Sequence, residues 1–330
     1  MASAELTADA GRRSFTGRRL RFGDVALQVV AGAAALGVTV LVFLIAWKVI
    51  EGAWPAIQKF GLSFIWHVAW NPVVGREVFG AGSFLFGTAV TSLFALAIAG
   101  PLAIGIALFL TELAPRGLQG PVTALVETLA AVPSVVIGLW GILVLGPALR
   151  STVQPWLHDA FGFIPLFGTP STSGASVFTA IVVLTMMILP IVSSICRELF
   201  LGVPHDLKEG ALALGTTRWE MVRGVVLPYS RGGISAALIL GLGRALGEAI
   251  AVTQVIGGGV SIQWNLFSGG DTLASKIAAS YLGAATNLEA HSLIYLGLIL
   301  LVFSLLANLL AQWIVRRSAR KHGIVRGGHA

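Results

Sequence analysis

Glu209 to Pro228 read EGALALGTTRWEMVRGVVLP, a polar stretch set between two long apolar segments. Pro204 suits the first turn of a helix, where its missing N–H would be unsatisfied anyway, and Leu207, Ala211 and Leu214 recur at helical spacing. Gly215 can take the left-handed conformation that stops such a helix. Thr217 and Glu220 stand at capping-box spacing, in which each side chain satisfies the other's backbone N–H, so a second helix is expected at once. Trp219, Val222 and Val226 give it an apolar stripe, and Leu227-Pro228 is expected to turn the chain. The expectation is two short helices about a glycine hinge, displayed at a membrane surface for a soluble partner to grip.

Outward from that stretch the chain is apolar. Of 330 residues 56% are hydrophobic and 11% charged, too apolar for a soluble globular domain, so the expected class is an all-α integral membrane protein. Segments long enough to cross about 30 Å of hydrocarbon fall near 25–50, 81–111, 119–149, 176–200, 232–257 and 291–315. They define a six-span domain over 25–315, a basic tail at 1–24, a second at 316–330, and a loop at about 204–228. An even number of spans puts both termini on one side. Sixteen Lys and Arg residues lie in the tails, the 112–118 turn and the 197–233 loop, against four in the opposite loops (Lys59, Arg76, Arg150 and Lys276). The excess assigns the termini and the loop to the cytoplasm.

The net charge of +7 therefore marks membrane orientation and not a nucleic-acid partner. Cys196 is the single cysteine, which rules out an internal disulfide and reads as a small buried hydrophobe. Arg12, Arg13, Ser14 and Phe15 superficially resemble a twin-arginine export signal, but the long apolar run after them is expected to be a retained span. Trp54, Trp66 and Trp70 suggest a segment at the outer interface, with His67 as a hydrogen-bonded surface group. Residues 151–175 read as flexible surface, and the outer loop over roughly 258–290 opens on Gly257-Gly258-Gly259. Pro101, Pro133 and Pro190 each free a backbone carbonyl inside a span, so a packed bundle with some discontinuity along its axis is expected.

There is no Gly-Lys pair in the chain, so it cannot cradle ATP phosphates as a Walker A loop does. Gly241, Gly243 and Gly247 lie in an apolar helix at the wrong spacing for a dinucleotide site, and Gly243 with Gly247 reads as close helix packing. Beside them stand Arg244 and, one turn later, Glu248, the ionisable pair placed deepest in a span. Each charge costs about 2 to 3 kcal/mol at a membrane centre, so such residues usually face a bundle interior and serve a purpose there. Guanidinium offers an anion a permanent charge and a fork of donors, and Glu248 can neutralise it when no anion is present. A purely structural ion pair is the alternative, though Arg before Glu is the weaker order for helix stability. Glu112 and Glu127 are weaker candidates with helix-end or interfacial roles. Thr88, Thr91, Ser134 and Thr253 could line a polar route or bond their own backbone. No catalytic residue and no metal site is expected.

The 209–228 stretch resembles the cytoplasmic loop of bacterial ABC importer permeases, with Glu209, Ala211, Gly215, Leu227 and Pro228 matching at the family's spacing. Gly210 stands for the middle alanine and Val225 for an isoleucine, departures that keep small or β-branched character. Phe86 to Pro115, Val132 to Pro147 and Gly241 to Gly257 further resemble helices of the C-type permease subunits of bacterial Pst phosphate importers, a more specific likeness than the loop alone. The resemblance implies the type I importer permease fold in the bacterial inner membrane, with Glu209, Gly210, Ala211, Gly215, Leu227 and Pro228 docking an ATPase. It implies Arg244 and Glu248 in the path of inorganic phosphate. It also implies a paralogous permease subunit, two ATP-binding subunits that use ATP with Mg, an extracytoplasmic phosphate-binding protein, and no cofactor bound by this chain. A permease for a related oxyanion, an ion-coupled carrier and a membrane sensor or scaffold are the alternatives. Carriers commonly show internal repeats, and none is found here.

Overall fold

A computed structural model describes residues 22–321, so most of the tail expected over 1–24 and most of that over 316–330 lie outside the described residues. Among the described residues the secondary structure is helical, with two isolated bridges and no β-strand. Among the described residues six helices are long and apolar enough to cross a membrane, the number the sequence predicts. Contacts divide the chain at Lys48 into two units, and α1 (Phe22–Phe60) begins in the first and ends in the second. In the first unit the side chains of Leu27, Val30, Leu36 and Phe43 are all exposed, the all-round apolar surface of a helix that meets lipid.

The second unit holds α2 (Gly82–Leu113), α3 (Arg116–Ala131), α4 (Ser134–Phe161), α5 (Val177–Leu201), α6 (His205–Ala213), α7 (Arg218–Gly247), α8 (Ile250–Val255), α9 (Leu273–Ser280) and α10 (Asn287–Lys321). Its main core is the seam of α2 with α5. Ala95, Ala99, Ala103 and Ala107 recur every four residues on α2, are fully buried, and let Leu184, Ile188 and Val192 of α5 approach closely. Cys196 is buried in the same cluster, as expected. A second core gathers Phe64, Phe79 and Phe84 with Leu273, Leu293 and Leu296, and Phe64 stacks on Tyr295 at 4.5 Å.

The spans depart from the sequence reading at four places. The expected 119–149 span is broken at Val132 and Pro133, which are extended (ψ 127° and 138°), because proline clashes with an α-helical residue before it. α3 is therefore a separate helix, and the third span is α4, carried on through residues 151–161. Pro101 and Pro190, by contrast, sit inside unbroken helices. The expected turn at Leu227-Pro228 does not occur either. A wide, π-helical turn at Val222–Val226 takes up the register where Pro228 has no N–H to give, and the helix runs on from Arg218 to Gly247. The same span ends ten residues earlier than expected, at Glu248 (ψ 117°), and resumes only as α8.

Small residues also act elsewhere than expected. A methyl at Gly241 would stand 2.9 Å from Ile188 and Val192, so this glycine permits the α7–α5 crossing, whereas Gly247 has open space. The 151–175 segment is tied down rather than loose. Gln154 is fully buried, accepts from Ser171 N–H at 3.1 Å and donates to Ser176 Oγ at 3.4 Å. The loop expected over 258–290 folds inward and contains α9, whose Leu273 N–H donates to Thr88 Oγ1 at 2.9 Å. Trp54 and Trp66 are exposed, but Trp70 turns inward, where its Nε1–H donates to Glu289 at 3.4 Å and its ring lies 5.2 Å from Lys276 Nζ. His67 pairs its Nδ1 with Ser63 carbonyl at 3.0 Å, the surface role expected of it.

Candidate functional site: an exposed loop and an open groove joined by one helix

The loop is built as its residues dictate. α6 ends at Ala213 with Leu214 as its cap, and Gly215 takes φ +84°, the left-handed stop that glycine enters without strain. Thr217 then closes the capping box, its Oγ1 accepting from Glu220 N–H at 3.3 Å while the Glu220 carboxylate accepts from Thr217 N–H at 2.8 Å. Glu209, Gly210 and Gly215 are exposed, and Leu214 and Trp219 are 87% and 65% exposed. Ala211 and Leu227 pack instead against the main core, so those motif positions anchor the loop while the others display it.

Beneath the loop lies a contact that the sequence reading missed. Lys208 Nζ meets Glu112 Oε1 at 2.6 Å and also donates to the Phe200 carbonyl at 3.1 Å, with side chains only 12% and 9% exposed. Arg218 donates to the Glu112 carbonyl at 3.4 Å. Glu112 sits in the wide turn that ends α2, and Phe200 in the last turn of α5, where a cation favours the helix's partial negative end. α6 is thereby fixed to the ends of α2 and α5. Glu112 stands in a helix end, as expected, but its partner is 96 residues away, a pairing with no local signal.

At the other end of α7, Arg244 and Glu248 come together at 4.0 Å. They do not share a helix face: Glu248 lies just past the end of α7, where its carboxylate also accepts from Ala251 N–H at 3.3 Å in the first turn of α8. Arg244 occupies the last turn of α7, so the macrodipole favours its charge there. Its side chain is 44% exposed against 10% for Glu248, because it lines a groove of about 950 Å³ between α7 and α10. Ile191 and Leu240 give this groove apolar walls, and Asn308, Gln312 and Arg316 of α10 give it polar ones. Loop and pair are not neighbours. Pro228 and Arg244 are separated by sixteen residues of α7, about 24 Å.

The candidate hydroxyls mostly bond within their own helices, Thr91 to Gly87 carbonyl at 2.8 Å and Thr253 to Ala249 carbonyl at 2.7 Å. Between α8 and α9, outside the spanning helices, burial pushes the Asp271 carboxyl up from its ordinary value, against the opposing pull of Gly259 N–H, Lys276 and Ser275. Among the described residues no group of three His, Cys, Asp or Glu side chains is placed to hold a metal.

A membrane-spanning helical bundle with a displayed two-helix loop and an open groove holding a charged pair is the architecture of a transport permease. Residues 99–320 match the family described as binding-protein-dependent transport system inner membrane component, and the chain belongs to that family. It is 42% identical over 322 residues to the phosphate transport system permease protein PstC of Mesorhizobium japonicum, covering 96% of this chain and 98% of the relative. It is also 40% identical over 292 residues to the PstC protein of Pasteurella multocida, with 88% and 90% covered. The PstC 2 protein of Mycobacterium tuberculosis is 41% identical over 300 residues, with 89% and 92% covered. Among solved structures the fold is similar to a chain of a bacterial alginate ABC transporter crystallised with an alginate-bound periplasmic protein (TM-score 0.61, 18% identity, 90% of this chain and 97% of the other). The fold class expected from the loop and the apolar segments is thereby borne out.

Proposed function

We propose that this chain is a permease subunit of a phosphate importer, passing inorganic phosphate into the cytoplasm through a path that includes Arg244 and Glu248. The observation that carries this reading is Arg244 itself, a guanidinium in an open groove between spanning helices, whose charge is answered only loosely at 4.0 Å. A passing anion can replace that carboxylate without first breaking a tight, desolvated pair. The names of the relatives, phosphate transport system permease proteins, agree with it. The periplasmic component in the alginate transporter's description fits delivery by an extracytoplasmic binding protein.

The chain has no ATP-cradling loop, so hydrolysis of ATP with Mg belongs to two partner ATPases that dock at the loop of Glu209, Gly210, Gly215 and Pro228, with Ala211 and Leu227 anchoring it against the core. This subunit binds no cofactor and makes or breaks no bond. A paralogous permease subunit faces it across the membrane path, and both termini, with the basic tails flanking the 25–315 domain, lie in the cytoplasm of a bacterial cell. The test is Arg244→Gln in the assembled complex, reconstituted in vesicles with binding protein and ATP. Phosphate uptake is expected to fall about 100-fold, the worth of a charge-assisted hydrogen-bonded contact of roughly 2.8 kcal/mol, while the subunits still co-purify. Normal uptake would sink the proposal.

A further inference from the structure

Three polar side chains on α10 share the groove with Arg244: Asn308, Gln312 and Arg316. They are four residues apart, hence on one helical stripe, while Leu306 and Leu310 give the helix its apolar, exposed side. The stripe has a direction. Asn308 lies at Gly243, beside Arg244, where a methyl on the glycine would stand 3.7 Å from the amide. Asn308 stands at Gly243 while Val315 shares a second groove with Pro228 and Gly232, so α10 runs antiparallel to α7 and Arg316 falls toward the loop end of α7.

Asn308 is also a polar group with an unmet requirement. Its Oδ1 is buried and has no hydrogen-bond partner, in a helix otherwise apolar enough to span a membrane. A buried polar atom without a partner is costly, and of the six such side-chain atoms among the described residues this is the one whose residue lines the groove of Arg244, so it points to a partner that is present only transiently. An amide offers both an acceptor and donors, the complement of an oxyanion that carries a proton as well as negative charge.

We infer that Asn308, Gln312 and Arg316 continue the phosphate path from the Arg244–Glu248 pair to the cytoplasmic end of α10. This rests on the reading of the chain as a phosphate permease. Conduction needs sites strong enough to be entered and weak enough to be left. Two neutral amides between the guanidinium of Arg244 and that of Arg316 supply such intermediate steps, handing the anion over without a second deep trap.

The experiment uses the complete complex in vesicles with binding protein, ATP and labelled inorganic phosphate. Asn308→Leu combined with Gln312→Leu keeps bulk and removes the amides, and should lower phosphate uptake about tenfold, the loss of one good hydrogen bond to a charged group. Binding-protein-stimulated ATP hydrolysis should stay within about twofold of the unmodified complex, and Asn308→Ser, which restores a small polar group, should recover uptake relative to Asn308→Leu. Unchanged uptake in the double variant overturns the inference. So does an equal fall of uptake and ATP hydrolysis, or a serine variant no better than leucine, since either marks a packing role. If the unmodified complex accumulates no phosphate with ATP, it is the underlying permease reading that fails.

Discussion

Lys208 and Glu112 meet at 2.6 Å with side chains 12% and 9% exposed, whereas Arg244 and Glu248 stand 4.0 Å apart with the arginine 44% exposed. The first pair ties α6 to the ends of α2 and α5 and shares its ammonium with the Phe200 carbonyl. The second faces a groove, and its carboxylate is also turned to a backbone N–H of α8. Chemically alike, the pairs differ in whether water or an anion can reach the cation. A closed pair resists exchange and transmits position; an open one can trade partners. Under the function proposed above, a loop that passes on the motion of a docked partner needs the first kind, and a path that releases its cargo needs the second.

The contrast is broken most directly at the closed pair. Lys208→Met leaves the Glu112 carboxylate buried without a counter-charge and should cost about 3 kcal/mol or more, read as a drop in the unfolding temperature in detergent. Exchanging the two, Glu112→Lys with Lys208→Glu, should recover part of that loss but not the Phe200 contact. Should Lys208→Met unfold at the unmodified temperature, α6 is not clamped. At the open pair, Glu248→Gln should change stability by no more than about 1 kcal/mol, since Arg244 stays exposed to the groove. A loss there as large as at Lys208 would erase the distinction. Raising salt from 0.1 M to 1 M, which shortens the screening length from about 10 Å to about 3 Å, should weaken the open pair and leave the closed one intact. A double-mutant cycle for each pair at the two salt concentrations measures this.

The smallest effect expected is at Asp271. Its carboxyl titrates above the ordinary 3.8 because it is buried. The folded state then holds the proton more tightly than the unfolded one, so the stabilisation is fully present below 3.8 and is lost as pH rises through the raised value. Asp271→Asn should flatten that decline, visible as a weaker dependence of unfolding temperature on pH over the acidic range.

What the sequence revealed follows the range of the interactions involved. The Gly215 stop and the Thr217–Glu220 box are formed by neighbours and were legible to the residue, whereas the six apolar spans were legible in number but not in all their bounds. Pro133 and Pro228 were ambiguous because proline excludes one hydrogen bond but does not say how a helix adapts. One broke the helix, and the other was absorbed by a wide turn. Arg244 and Glu248 were found because charges are conspicuous in an apolar run, but the break that separates them came from no local residue rule. Lys208 was hidden in a polar loop, where a lysine is unremarked unless its partner at Glu112 is known. Asn308 and Gln312 were hidden differently, because neutral amides in a helix carry less alarm than charges until the groove they line is seen.

The wide turn at Val222–Val226 has a consequence of phase. A π-helical turn takes in one residue more than an α-helical turn, and one residue is worth about 100° of rotation about the axis. The turn therefore sets the angle at which everything after it faces, relative to the loop before it. With one residue removed there and the helix made regular, the same α7 would still span, and Pro228 would still follow the loop. Arg244 would look about a quarter-turn away from Asn308, so the bearing of the charge is fixed about five helical turns before Arg244 itself.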